Sequence, residues 1–407
     1  MKSCVEHSNL ISRRTVLGGV AAGVASSAVS VDLAFAAEKY AGDTLVVISM
    51  HGGFDGLSTI VPIGDPDYYR ARPGIAVPKS RVIAGDGTFG LHPALAPLLP
   101  QWKSGALAAV HAVGQPNPTR SHFAAMEAME NAAPGTSIRS GWLDRMLGGT
   151  GATSPLAGVA MGRTMPARLL AGPANDISML SVDDLTLAGD GKRPIAAALR
   201  AMYADAPAHL AAPAKAADRA LAAMGAPRAA EARSGYPGTD LGGALRDVAR
   251  LIKSNAGLVT ATVDCGDWDM HEALGPAVKG ERMFDNLTDF AKALAAFTAD
   301  LGPQAMKRVT VLTISEFGRR VAENGSRGAD HGHGNAMLLL GGGIRGGKVY
   351  TRWPTLATSA LVDGDLAATT DYRSVIGEIL QKRCGVGDLS TIFPGVKPSR
   401  FGLAAAR

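Results

Sequence analysis

The chain is predicted to fold as an α/β domain with a central, mostly parallel sheet, and three observations carry that prediction. Apolar or β-branched runs of strand length recur at 44–49, 106–113, 259–263, 308–314 and 336–340. Segments with apolar residues at helical spacing, such as 241–253 and 283–301, alternate with them, and such alternation implies right-handed crossovers and parallel pairing. Several runs end in a burst of carboxylates and histidines, and the carboxyl edge of an open α/β sheet is where ligands gather. With 46% hydrophobic and 19% charged residues over 407 positions, the chain can bury a large core and is neither disordered nor membrane-spanning in composition.

The amino-terminal segment reads as an address rather than as part of the fold. Ser12-Arg13-Arg14-Thr15-Val16-Leu17 is a twin-arginine pattern, an apolar run rich in Ala and Gly follows, and Ala34-Phe35-Ala36 suits signal-peptidase cleavage. The run from Val16 to Val29 is interrupted by Gly and Ser and is short for a membrane span. Residues 1–36 are therefore expected to be a removable signal and 37–407 the mature domain. That implies a periplasmic or secreted protein, with the twin-arginine export machinery as a partner and no stable membrane span after cleavage. The signal carries three basic and two acidic residues, so its loss takes the net charge from +5 to +4. That charge is diffuse, no basic cluster with interleaved aromatics occurs, and nucleic acid is not expected as a partner. Cys265 and Cys384 could pair in an oxidising compartment or remain small buried residues.

In order, the strand run Thr44–Ser49 enters Met50-His51-Gly52-Gly53-Phe54-Asp55-Gly56, where glycines allow tight backbone paths and Asp55 stands just past a strand end. An amphipathic helix is expected over Ala94–Lys103, then a strand over Ala106–Val113. A Pro-rich turn holding Thr119 and Ser121 follows, before a helix over Phe123–Asn131. A hydroxyl at a helix start can cap it, bind an oxyanion or serve as an activated nucleophile. From about 141 to 235 the chain is Ala-rich, with helices expected at 194–203 and 209–224, and this stretch reads as a helical insertion or cap. The strand over Val259–Val263 then delivers Asp264, Cys265, Asp267, Asp269 and His271, and the strand over Arg308–Ile314 delivers Ser315 and Glu316. A loop rich in Gly and Asn carries Asp330, His331 and His333, and a final helix is expected over Asp371–Arg383.

Candidate metal ligands therefore arrive from separate elements: Asp55; Asp267, Asp269 and His271; Glu316; and His331 with His333. Asp and His donors separated by short loops suit a hard or borderline divalent cation, and such an ion could be zinc, calcium, magnesium or manganese. It would polarise a phosphoryl or sulfuryl oxygen and acidify a bound water or hydroxyl. The alternative reading leaves Asp269 and Asp330 as turn residues or outer partners, with the histidines hydrogen-bonded to carboxylates.

The blocks HGGFDGL, PTRSHF, CGDWDMH, SEFGRR, ADHGHGN, GGGIRGGKVY and TTDYRSVIGEIL together resemble the twin-arginine-exported, uncharacterised DUF1501 family across the mature chain. That family in turn resembles the alkaline phosphatase and sulfatase superfamily. The resemblance implies an alkaline-phosphatase-like fold holding one or two divalent metals at the carboxyl edge of its sheet. It implies Asp55 as the first-strand metal aspartate, Ser121 as nucleophile with Thr119 as second choice, and Asp267 with His271 as a ligand pair. It also places Glu316 at a metal aspartate position and His331 or His333 at the late histidine. Phe317 departs from the pattern, because it stands where the superfamily has a second histidine ligand. The expected activity is hydrolysis of a small anionic phosphate or sulfate ester; the alternative is a non-catalytic exported scaffold that keeps the fold.

Overall fold

A computed structural model describes residues 40–174, 176–187, 195–231, 233–396 and 398–407; the twin-arginine segment lies outside the described residues. Among the described residues nine strands form the main sheet: β1 (Thr44–Met50), β2 (Leu107–Gly114), β3 (Gly158–Met161), β4 (Asp176–Met179), β5 (Thr260–Cys265), β6 (Val309–Ile314), β7 (Asn335–Gly341), β8 (Val349–Tyr350) and β9 (Thr370–Asp371). Their order is β8-β2-β7-β6-β1-β5-β3-β4, with β9 paired to the end of β2. β1 lies at the centre, parallel to β5 on one side and β6 on the other.

Within the main sheet, only β7 among the described strands runs against the rest, antiparallel to both β6 and β2. That reversal places the site. A chain leaving the carboxyl end of β6 and entering the amino end of β7 stays at one edge of the sheet, so the loop 315–334 joins the segments that follow β1, β2 and β5. At the end of β2, Ala112 adopts a positive φ of 56° and shifts the register against β7, a bulge of the kind that re-aims a strand end.

Period-2 alternation in β1 explains why both faces are covered. Val46 and Ile48 point into one core with Leu245, Val248, Phe290 and Phe297, while Leu45 and Val47 point into the other with Leu143, Val375 and Ile379. The first layer is built by α5 (Asp240–Lys253) and α6 (Arg282–Met306), the second by α2 (Trp142–Gly148) and α7 (Tyr372–Arg383). Thr239 caps α5 by accepting from the Gly242 N–H at 3.3 Å. α6 breaks where its sequence pattern ends, at Gly302 (φ 69°) followed by Pro303. The helix expected at 94–103 is instead a 3-10 stretch, Pro93–Leu98, followed by one turn, Leu99–Lys103, because Pro97 and Pro100 each remove a backbone donor.

The stretch 141–235 is not wholly a helical insertion. It supplies β3 and β4 to the main sheet. These four-residue strands are too short to show a period, so the Ala-rich composition around them dominates the sequence signal. The described residues within 186–222 fall in a separate compact unit. It contains the helix α3 (Ile195–Ala204) and most of α4 (Ala208–Ala223), with an Arg200–Asp218 ion pair at 2.8 Å. Cys265 and Cys384 are both free thiols. No helix among the described residues is long and apolar enough to cross a membrane.

Candidate metal centre

Four side chains from three segments meet at the carboxyl edge of the sheet. Asp269 and His271 follow β5, His331 precedes β7, and His122 is the first residue of α1 (His122–Asn131), reached through the turn after β2. The Asp269 carboxylate stands at their centre. His271 Nε2 lies 3.2 Å and His331 Nε2 3.3 Å from its Oδ1, and His122 Nε2 lies 3.6 Å from its Oδ2. The two imidazole nitrogens of His271 and His331 are themselves 2.9 Å apart.

The outward nitrogens decide what these inward atoms are. His331 Nδ1 lies 2.8 Å from the carbonyl oxygen of Arg120, and a carbonyl only accepts, so the proton is assigned to Nδ1. His271 Nδ1 faces Asp330 Oδ1 at 3.0 Å, and His122 Nδ1 faces Glu316 Oε1 at 2.7 Å, which assigns the same tautomer to both. In the neutral rings each Nε2 is then a lone pair. Three lone pairs and a carboxylate converge with no proton of their own to share, and His122 Nε2 is buried without a hydrogen-bond partner. Such a group could hold a cation. His122 Nε2, Asp269 and His331 Nε2 all lie within 4.8 Å of one another, a span that a metal ion bridges, and His271 Nε2 faces the same carboxylate oxygen as His331.

Partners outside this group hold the rings in place. Glu316 is buried; besides facing His122 its Oε1 accepts from the Gly52 N–H at 2.9 Å, and its Oε2 accepts from Ser315 Oγ at 3.0 Å. Arg319 is also buried. Its guanidinium donates to Asp269 Oδ1 at 2.6 Å and to the carbonyl oxygens of Gly53, Ala329, Trp268 and Gly52. Burial alone would raise the Asp269 pKa, but the Arg319 hydrogen bond and charge outweigh it and hold the carboxyl below the ordinary range. For His331, burial is the main cause that pushes the value below that of an ordinary histidine and favours the neutral, lone-pair form. Phe317 packs its ring against His122 and His331, with centroids 4.8 Å and 4.7 Å away.

Gly52 and Gly53 let the chain after β1 pass beneath this group. Both have positive φ, at 111° and 68°, and a Cβ on Gly52 would meet the Asp269 backbone nitrogen at 2.5 Å.

Of the residues singled out from sequence, the structure brings together Asp269, His271, Glu316 and His331, with Glu316 behind His122 rather than on the inward face. Asp55 is fully engaged elsewhere: Arg72 donates to it at 2.5 and 3.1 Å, both side chains are buried, and Arg72 holds the carboxyl low against the opposing effect of burial. Asp267 sits at positive φ (67°), paired with Arg282 and with Asn286 at 3.2 Å. His333 Nε2 donates to the Gln115 carbonyl at 2.9 Å. Ser121 is the N-cap residue of α1, yet its side chain makes no capping bond and is exposed, directly before His122. Thr119 Oγ1 accepts from the Ser121 N–H at 3.3 Å.

Sequence reasoning missed His122, Arg319 and the carbonyl of Arg120. His122 lies in PTRSHF beside Ser121, but one histidine at a helix start carries no ligand signal until its partners arrive through the fold. The Phe317 ring packs against its imidazole.

Comparison with solved structures finds similarity at low level. The chain resembles Ps i-CgsB at 8% identity and a TM-score of 0.36, covering 87% of this chain and 74% of that one. It resembles the lipoteichoic acid synthase LtaP from Listeria monocytogenes at 11% identity and a TM-score of 0.34, covering 81% and 74%. Phosphonoacetate hydrolase from Sinorhizobium meliloti 1021 is similar at 12% identity and a TM-score of 0.30, covering 69% and 57%. No curated protein matches the sequence. The profile of a family described as "Protein of unknown function (DUF1501)" matches residues 43–377, and the chain belongs to that family.

Proposed function

We propose that the protein is an exported, metal-dependent hydrolase of phosphate or sulfate esters, built on an alkaline-phosphatase-like fold and acting at the centre formed by His122, Asp269, His271 and His331. One observation carries the reading: three imidazole Nε2 atoms turn onto one carboxylate while every outward Nδ1 is engaged. The donor set fits a divalent metal, and its three nitrogens favour zinc over calcium or magnesium, which prefer oxygen. A metal bound there would supply Lewis acidity toward a phosphoryl or sulfuryl oxygen.

The chain's own groups support the rest. Arg319 keeps Asp269 ionised and in place, and Glu316, Asp330 and the Arg120 carbonyl fix the three rings. Ser121 offers an exposed hydroxyl beside a ligand residue and is the nucleophile in this reading, with Thr119 as second choice. Asp269 and His271 are exposed, so an ester can reach the centre from solvent. Export by the twin-arginine route, into the periplasm or beyond, belongs to the same proposal; replacing Arg13 and Arg14 by lysine should leave precursor in the cytoplasm.

A second reading draws on the donor count. Four protein ligands close a zinc shell, as structural sites do, whereas catalytic sites keep one position open. That favours a non-catalytic scaffold. The deciding experiment assays metal-loaded protein on a panel of aryl phosphates and sulfates and then compares Ser121→Ala with Thr119→Ala. A fall in turnover by orders of magnitude in Ser121→Ala at unchanged melting temperature supports the hydrolase. Full activity in Ser121→Ala removes it as nucleophile, and no turnover of any ester by metal-loaded wild type favours the scaffold.

A further inference from the structure

A cavity of about 600 Å³ opens beside the metal centre, and Asp330 belongs to both. Its Oδ1 accepts from His271 Nδ1 at 3.0 Å and from Asn324 Nδ2 at 2.9 Å, while the same residue lines the cavity. The volume lies inside the range of small-molecule pockets, about 300–1,000 Å³.

Charged side chains tie the walls of this cavity together. One wall is the short helix Pro66–Ala71, and the next is the segment 320–324. Arg72, paired with Asp55, follows that helix and donates to the carbonyl oxygens of Val321 at 2.9 Å and Arg320 at 2.8 Å. Glu323 accepts from the N–H groups of Gly74 at 2.8 Å and Ile75 at 2.9 Å, which fastens the same two segments a second time. The third wall carries Leu356 and Leu361, and Asp65 holds it by accepting from the Leu356 N–H at 2.8 Å and from Trp353 Nε1 at 3.1 Å. The cavity is thus built into the fold, and the buried Asp55–Arg72 pair is part of its frame.

The charges that line it already have partners. Asp67 pairs with Arg70, Arg320 with Asp365 at 3.3 Å, and Glu323 and Asp330 accept as described. What stays open is chiefly aliphatic: Ala71 and Leu361 are half-buried and Ala322 is exposed, with Val321 and Leu356 buried between them. Matched charges ask no net charge of an occupant, and open aliphatic surface favours one that removes it from water.

We propose that this cavity receives the organic part of the ester cleaved at the metal centre, and that this part is a bulky, uncharged and largely apolar group. The link to an ester rests on the hydrolase reading above; binding of the apolar group to the cavity does not.

The test has two arms on metal-loaded full-length protein. In the first, 2-naphthol, phenol and glycerol are titrated by calorimetry. Saturable binding of 2-naphthol, weaker binding of phenol and none of glycerol are expected. Leu361→Asp and Ala322→Glu, which place charge on partly open wall positions, should each weaken naphthol binding several-fold, and Ser121→Ala should leave it intact. In the second arm, the 2-naphthyl phosphate and sulfate esters should show a lower KM than the phenyl esters, and the two wall variants should raise the naphthyl KM at unchanged kcat. The proposal falls if naphthol does not bind saturably, if both wall variants bind it as wild type does, or if the naphthyl and phenyl esters share one KM. Naphthol binding that the wall variants weaken, with no ester turned over by wild type, would overturn the hydrolase reading and the link to an ester while keeping the cavity as an apolar binding site.

Discussion

Asp55 and Asp269 both follow strands of the same sheet edge, and in the sequence both look like metal ligands; their surroundings separate them. Asp55 is buried against Arg72, with both carboxylate oxygens accepting from one guanidinium and the Ser58 hydroxyl also bound by that arginine. Its charge is fully met. Asp269 also has an arginine, Arg319, but it further faces three imidazole nitrogens whose protons point away. A carboxylate whose neighbours are donors is finished, and one whose neighbours are lone pairs could take a cation. Residue type at a strand end does not distinguish the two, whereas the direction of each neighbour's proton does.

The largest expected effect comes from breaking the finished site. Asp55→Asn leaves the Arg72 charge buried and unpaired, and should cost about 3–5 kcal/mol in denaturant unfolding. Metal content should stay at wild-type level. Loss of metal from folded Asp55→Asn protein would show that the comparison is drawn wrongly. The pair also sets a pH limit. The folded pKa of Asp55 is depressed, so its contribution is present above the unfolded carboxyl value of about 3.9 and is lost as pH falls through the folded value.

Chelation addresses the other half. An ion held at a hundred times its dissociation constant stabilises the folded state by about 2.7 kcal/mol, so chelator should lower the melting temperature of wild type and of Asp55→Asn alike. Asp269→Ala should show no such decrement and should carry no stoichiometric metal. A chelator effect that survives in Asp269→Ala would place the ion elsewhere.

Asp330→Ala sharpens the picture further, because it removes the acceptor that orients His271 along with a bond from Asn324 Nδ2 at 2.9 Å. It should weaken metal binding about 10–100-fold without unfolding the protein, measured by competition with a metal indicator. Unchanged affinity would mean that the His271 ring is set by packing alone.

The smallest effect concerns a pair that flanks the centre. His51 Nε2 lies 2.9 Å from Asp264, and although burial works against its charge, the Asp264 hydrogen bond and charge raise its pKa. A raised histidine stabilises fully below the unfolded value of about 6.5 and loses that contribution as pH rises through the folded value. His51→Gln should flatten the stability profile over that window by less than about 1 kcal/mol, as expected for a partly exposed pair. An identical slope in the variant would assign it to other groups.

The sequence by itself determined the α/β class, because strand and helix periods are local and repeat along the chain. The runs at 44–49 and 308–314 reappear as β1 and β6, and the amphipathic patterns at 241–253 and 283–301 as α5 and α6 up to its break. It also determined that acids and histidines crowd the segments after those strands, since a burst after an apolar run is visible in one dimension. Tertiary structure alone decided three things. The reversal of β7, which brings the loop of His331 back to the carboxyl edge, depends on pairing between strands far apart in sequence. The short strands β3 and β4 are held by their neighbours rather than by any pattern of their own. The choice of Asp269 over Asp55, and of His122 over His333, follows from which arginine, carbonyl or carboxylate faces each ring and carboxylate, and those partners are more than fifteen residues away in every case.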